Sequence, residues 1–326
     1  MDAPEYMARP PGLLPWAAFV AGALIALEFL DLTVYGIVVP VAAVALYLAI
    51  GRRATPGTRP PIDRRDVQVI GATYLAVVAL FFAAFRLFGT DSVLGLFLCF
   101  AAGLVAGVSV PVVYTVWRRH RPLTSLGLGL HDLPLTIALG LLFAGIQFAL
   151  TLWGYDLPAS GEDWVPLLVM ALVVGIFESI FFRGFLQGRL VAMFGPGVGI
   201  AAAAGLYGLY HVGYGMGLDE MTFLLGLGVV YAIAYQLTSN LLVLWPLLTP
   251  LGSFFAQVNA GDIDLPWASI LGFLDVAAVM ITVIVIAHRH ERRVERAEAD
   301  TGHETPVLSD NGLRRPTPAG RGERLT

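Results

Sequence analysis

Apolar runs of bilayer length decide what this chain can fold into. The run from Val93 to Trp117, VLGLFLCFAAGLVAGVSVPVVYTVW, holds no charged residue. About 20 apolar residues in a helix cross the hydrocarbon core of a membrane. Comparable runs occupy 13–30, 34–51, 67–88, 133–153, 164–190, 198–214, 221–237, 240–258 and 267–287. The first two also read as one broken unit, so the expectation is about 8–10 spans. Composition agrees, with 57% hydrophobic and 13% charged residues, against about 25% charged in soluble domains. The fold class is therefore all-α, a polytopic transmembrane helical bundle.

The charges sort the loops. GRRATPGTRPPIDRRD (51–66) is arginine-rich, as are WRRHR (117–121), the Gln187-Gly188-Arg189 end of the sixth run and HRHERR (288–293). YDLPASGED (155–163), GLDE (217–220) and GDIDLP (261–266) are acidic. With ten spans the two sets fall on opposite sides. The positive-inside rule then makes the arginine side cytoplasmic, with both termini inside. The reading is an integral protein of the plasma membrane, its bilayer being the first partner. Basic residues flank spans and form no single large patch, so nucleic acid is not expected as a partner. The lone cysteine, Cys99, lies in an apolar run and reads as a packing residue. MDAPEYMARPPGLLPW lacks the basic lead of a cleaved signal peptide and reads as a cytoplasmic entry to a retained span. Three parts are expected: N-terminal membrane helices (1–117), a core (118–287), and a polar, disordered cytoplasmic tail (288–326).

Polar groups inside spans carry the functional information, because hydrocarbon disfavours them unless they pair or face water. They are Glu28, Glu178, Arg183, His211, Gln236 and Asp275, with Arg86 near a span end. Glu178 and Arg183 stand in FESIFFRGF. On an α-helix positions i and i+5 differ by about 140°, which puts them on different faces. Arg183, nearer the cytoplasmic end, is expected to meet headgroups or carbonyl ends of helices, while Glu178 must face protein or water. At about 1.5 Å per residue, Glu178 lies about 16 Å from the arginine side, and Thr249 about the same. His211 lies about 22 Å in, a difference that helix tilt absorbs. One shared site near mid-membrane is allowed.

ESIFFRGFLQGRL and, one span later, YGLYH resemble the first two motifs of the CPBP family of intramembrane proteases, also called the ABI or CAAX-protease family. These motifs read EExxxR, usually followed by Gly, and FxxxH. FLLGLGVVYAIAYQLTSNLLVLW resembles the stretch before the third motif, and RPLTSLGLGLHDLP the loop leading into the core. The resemblance covers about 120–290. It implies a membrane-embedded endopeptidase in which Glu178 and His211 activate water, with Arg183 in the motif's arginine position and Tyr207 in its Phe position. Two departures stand out. The second Glu is Ser179, and the third-motif His-x-x-x-Asn falls on Leu248 or Thr249 and on Gly252 or Ser253. Thr249 and Ser253 share a helix face at i, i+4. Their hydroxyls are the candidate oxyanion donors, against back-bonding to helix carbonyls beside Pro250.

One histidine and one glutamate make a poor zinc set, and nothing reads HExxH. The expectation is a glutamate-type site with no metal or cofactor, acting on a peptide or membrane-protein substrate. A catalytically silent relative that binds a membrane partner is the alternative. A carrier with Glu28, Glu178 and Asp275 as relay groups ranks below both, since no inverted repeat is visible.

Overall fold

The computed structural model describes residues 32–50, 62–152, 161–260 and 265–302. The run expected at 13–30, Glu28 with it, lies outside them, as do parts of the loops at 51–66, 155–163 and 261–266. The described residues form helices and turns. They run α1 (Leu32–Ile50), α2 (Arg64–Phe88), α3 (Val93–Arg118), α4 (Leu133–Thr151), α5 (Gly161–Glu178), α6 (Gly188–Tyr210), α7 (Leu218–Thr238), α8 (Leu248–Ala260) and α9 (Trp267–Gly302). A π-helix, Ser179–Gln187, joins α5 to α6 without a loop. The chain is an all-α polytopic bundle and an integral membrane protein.

Among the described residues five helical stretches are long and apolar enough to cross a membrane: Arg64–Phe88, Val93–Arg118, Trp164–Tyr214, Leu218–Thr238 and Trp267–Ala297. Trp164–Tyr214, at 51 residues, is too long for one crossing. It breaks at Gly195, whose φ of 78° is left-handed, and Pro196 starts the second arm. The runs at 164–190 and 198–214 are thus two arms meeting at a turn. The run expected at 240–258 is not one helix. A 3₁₀ turn at Leu241–Val243 and further turns precede α8, which has only 13 residues.

Two compact units result, Met1–His288 and Arg289–Thr326. In the first, the π-helix sits at the centre, packed by α6, α7, α3 and the 3₁₀ turn Leu123–Leu126. Phe177, Phe181, Phe182 and Phe185 are all buried there. Gly184 lies against the backbone of Leu126, and a Cβ would collide with the Leu126 carbonyl. The glycine that follows the motif arginine therefore permits this backbone approach. α2 and α3 carry outward Leu75, Val93 and Phe97, and α9 carries Leu271 and Ile286. Without water to satisfy, such apolar faces suit lipid contact. Asp275 also lies on an exposed face of α9.

Residues of three arginine-bearing segments meet at one end. Asp66, fully buried in the first turn of α2, accepts from Arg119 Nη2 at 2.6 Å and from the Tyr114 hydroxyl at 2.9 Å. Arg121 and Arg189 stand 4.0 and 3.9 Å from the same carboxylate. Asp63 caps α2 by accepting the Asp66 N–H at 2.9 Å. That bond, with the Arg119 contact beside it, holds the exposed Asp63 carboxylate below the usual aspartate range, against a smaller opposing effect of burial. Residues from 63–66, 119–121 and 189 thus share one end of the bundle.

Candidate active site

Glu178 is the last residue of α5 and is 4% exposed. Both its oxygens are held from α6. Tyr207 donates its hydroxyl to Oε2 at 3.2 Å, and Tyr210 donates its hydroxyl to Oε1. His211 follows directly at the helix end. Its Nδ1 faces the Tyr207 carbonyl at 2.9 Å. A carbonyl only accepts, so Nδ1 carries the hydrogen and Nε2 keeps its lone pair. The His211 ring lies 4.0 Å from the Tyr210 ring and 5.2 Å from the Tyr207 ring, centroid to centroid. The glutamate and the histidine are therefore joined through two tyrosines of a single helical turn.

Arg183 does not reach the headgroup region. It is 1% exposed, with its guanidinium 5.0 Å from the Tyr207 ring centre and 5.9 Å from that of Tyr231. The α-helical spacing that separates Glu178 from Arg183 does not apply, because the helix widens after Glu178. In a π-helix the hydrogen bonds run i to i+5, so positions five apart stack one above the other. Glu178 and Arg183 consequently flank the same residue, Tyr207: one carboxylate oxygen takes its hydroxyl and the guanidinium faces its ring. Both Arg183 terminal nitrogens lack a hydrogen-bond partner.

Thr249 and Ser253 begin α8, which packs on α5. The Thr249 hydroxyl is 3.1 Å from the Ser179 hydroxyl and within 3.4 to 3.5 Å of the Leu244 and Gly175 carbonyls. Ser253 donates to the Thr249 carbonyl at 3.4 Å. Both hydroxyls are thus engaged locally in this arrangement. Leu248 is buried and apolar. The Ser179–Thr249 contact unites the two departures from the family pattern. A hydroxyl pair stands where the motifs would bring a carboxylate and an imidazole.

Tyr210, Tyr231 and Gln147 belong to this region but carry no motif. Tyr210 is three residues after Tyr207 on the turn that ends in His211, which is the one signal in the sequence that points to it. Among the described residues, no group of three His, Cys, Asp or Glu side chains stands close enough to hold a metal ion.

Comparison with known proteins bears on one segment. A family model described as type II CAAX prenyl endopeptidase Rce1-like matches residues 160–247. No curated protein and no solved structure matches the chain. The matched segment contains Glu178, Arg183, Tyr207 and His211 and ends before Thr249 and Ser253. Over residues 160–247 the chain is similar to that endopeptidase family.

Proposed function

We propose that this protein is an intramembrane endopeptidase in which Glu178 and His211 activate water. One observation carries the reading: a buried carboxylate held on both oxygens by the turn that ends in the histidine. Tyr207 and Tyr210 each occupy one lone-pair direction of Glu178, and a carboxylate has further ones for a water. Glu178 takes a proton from water as the water oxygen bonds to the scissile carbonyl carbon, and the carbonyl π pair moves onto its oxygen. Collapse of this adduct breaks the C–N bond, and the proton held by Glu178 passes to the leaving amine. His211 Nε2 accepts from the same water and orients it. Arg183 organises Tyr207 and balances the developing negative charge.

The substrate is a peptide or membrane protein reached within the bilayer. The arginine-bearing end faces the cytoplasm of a cell-membrane protein, and both termini lie on that side. A catalytically silent, partner-binding relative is the second reading. The Ser179–Thr249 pair favours it, since it replaces groups that the family motifs supply.

The test is proteolysis of a membrane-peptide library, with prenylated and unmodified members, by the purified protein in lipid nanodiscs. Wild type is compared with Glu178→Ala and His211→Ala by mass spectrometry of products. We expect cleavage that both substitutions abolish. Cleavage indifferent to both would reject the assignment, and no cleavage by a folded wild type would select the silent relative.

A further inference from the structure

The last span carries an acidic side chain that no described residue answers. Of the five bilayer-length stretches, the one in α9 is the least buried, at 17% of its apolar length against 28% to 67% in the others. It is held mainly by one face. Val276, Met280 and Ala287 are buried. Phe273 packs edge-on against Phe100 of α3, ring centres 5.6 Å apart, and a Cβ on Gly272 would meet the same ring at 3.5 Å. Away from that face stands Asp275, eight residues and so about 12 Å beyond Trp267. Ala287 lies about 18 Å further along. Asp275 is exposed, and among the described residues it has no hydrogen bond and no ion pair.

Asp275 belongs to a continuous stripe. Ala268, Leu271, Asp275, Ala278, Thr282 and Val285 are all exposed and recur at intervals of three and four residues. That spacing is the seam of a left-handed pair of helices. The two alanines allow a second backbone to come close. Thr282 donates its hydroxyl to the Ala278 carbonyl at 2.7 Å and so needs no further partner. Asp275 is the polar group of the stripe whose need is unmet. A carboxylate in hydrocarbon is costly unless something neutralises it. The described arginines do not: Arg183 is buried beside Tyr207, and the others lie at or beyond span ends. A second copy of the chain does not serve either. Two copies sharing one orientation in the membrane bring Asp275 to Asp275 at a single depth, where like charges repel.

We propose that this face of α9 binds the transmembrane helix of another protein, and that this helix carries a lysine or arginine opposite Asp275. The proposal does not depend on the endopeptidase reading. Charge complementarity sets the chemistry of the occupant. Trp267 marks the membrane boundary, so the basic residue lies about 12 Å inside it, or eight residues along the partner helix. Ala278, one turn beyond Asp275, is small and leaves space beside the carboxylate for a long basic side chain. Leu271 and Val285 pack against any apolar span, so the selectivity lies in the charge. Each charge alone is penalised in hydrocarbon, and the pair is not, which favours the matched helix over others.

The experiment uses the full-length protein in liposomes and three transmembrane peptides, each about 20 residues of leucine and alanine. At about the eighth residue one carries lysine, the second leucine and the third glutamate. Association is read by energy transfer from the protein's tryptophans to a dansyl group on the peptide. We expect the lysine peptide to bind wild type about tenfold more tightly than the leucine peptide, as one polar contact between membrane helices provides. Asp275→Leu should abolish that preference, and Asp275→Lys should transfer it to the glutamate peptide. Thermal unfolding checks that the variants fold, and the comparison of peptides on wild type needs no variant. Equal binding of the lysine and leucine peptides to wild type overturns the proposal, as does a lysine preference that survives Asp275→Leu in a folded protein. Ala278→Cys in a Cys99→Ser background tests the other occupant. A disulfide-linked dimer that forms in the membrane and is indifferent to the lysine peptide would assign the face to a second copy and overturn the proposal.

Discussion

Tyr210 shows how much of the site depends on single hydroxyls. It donates to Glu178 while its ring supports His211, so Tyr210→Phe removes one bond and keeps the packing. A hydrogen bond to a charged group contributes about 1.5–3 kcal/mol. We expect Tyr210→Phe to lower kcat about 10- to 100-fold, with a smaller fall for Tyr207→Phe, whose bond is 3.2 Å. Steady-state cleavage of one library peptide checks both. Thr249→Val should behave differently. It leaves the buried Ser179 hydroxyl without its 3.1 Å partner, at a cost of about 1–3 kcal/mol in stability. Its kcat should stay near wild type, and thermal unfolding in nanodiscs measures the loss. Glu178, Arg183 and His211 were legible in the sequence because charged and titratable groups are conspicuous in apolar runs. Gln147 and Tyr231 were not. A glutamine or a tyrosine in a span usually bonds across a helix interface, and nothing in the sequence shows that these two meet at Gly252.

At the scale of the element, the π-helix Ser179–Gln187 decides the geometry. Periodicity predicts the helix correctly over this segment and its angular register wrongly. No residue in SIFFRGFLQ announces the wider turn, which depends on the close approach at Leu126 and on bonds made by neighbouring helices. Gln187, for example, donates to the Ala232 carbonyl at 2.8 Å. The widened turn places Arg183 over Tyr207 and removes it from the membrane surface. Gly184 is the point of contact, so Gly184→Ala forces the π-helix off the Leu126 carbonyl. Overpacking of this kind costs about 1–3 kcal/mol. We expect a lower unfolding temperature together with reduced cleavage, because the same shift moves Arg183. The interrupted run at 240–258 was also beyond periodicity. Its turn residues are mostly apolar, and tertiary bonds such as Trp245 Nε1 to the Leu172 carbonyl at 3.0 Å hold the break open.

For the whole molecule, apolar runs and arginine-rich loops were enough to predict a polytopic bundle with several basic segments at one end. The contacts that join those segments needed the structure. Asp66 ties α2 to the end of α3 and approaches Arg189 at the start of α6. Breaking a buried charged pair costs about 3–5 kcal/mol. Asp66→Ala should therefore lower stability by about that amount and loosen α2 and α3 from the centre, which hydrogen exchange of the two helices would record. Glu178 and His211, far from that end, should remain assembled at low temperature.

The central claim is that a carboxylate buried in the membrane serves as the base, and Glu178→Gln tests it most directly. The amide keeps the size and much of the hydrogen bonding of the carboxylate but cannot take a proton from water. With wild-type unfolding temperature retained, we expect the cleavage rate of one defined membrane peptide to fall about 10²- to 10⁴-fold. A folded Glu178→Gln protein that cleaves the same bond at the wild-type rate would contradict the claim.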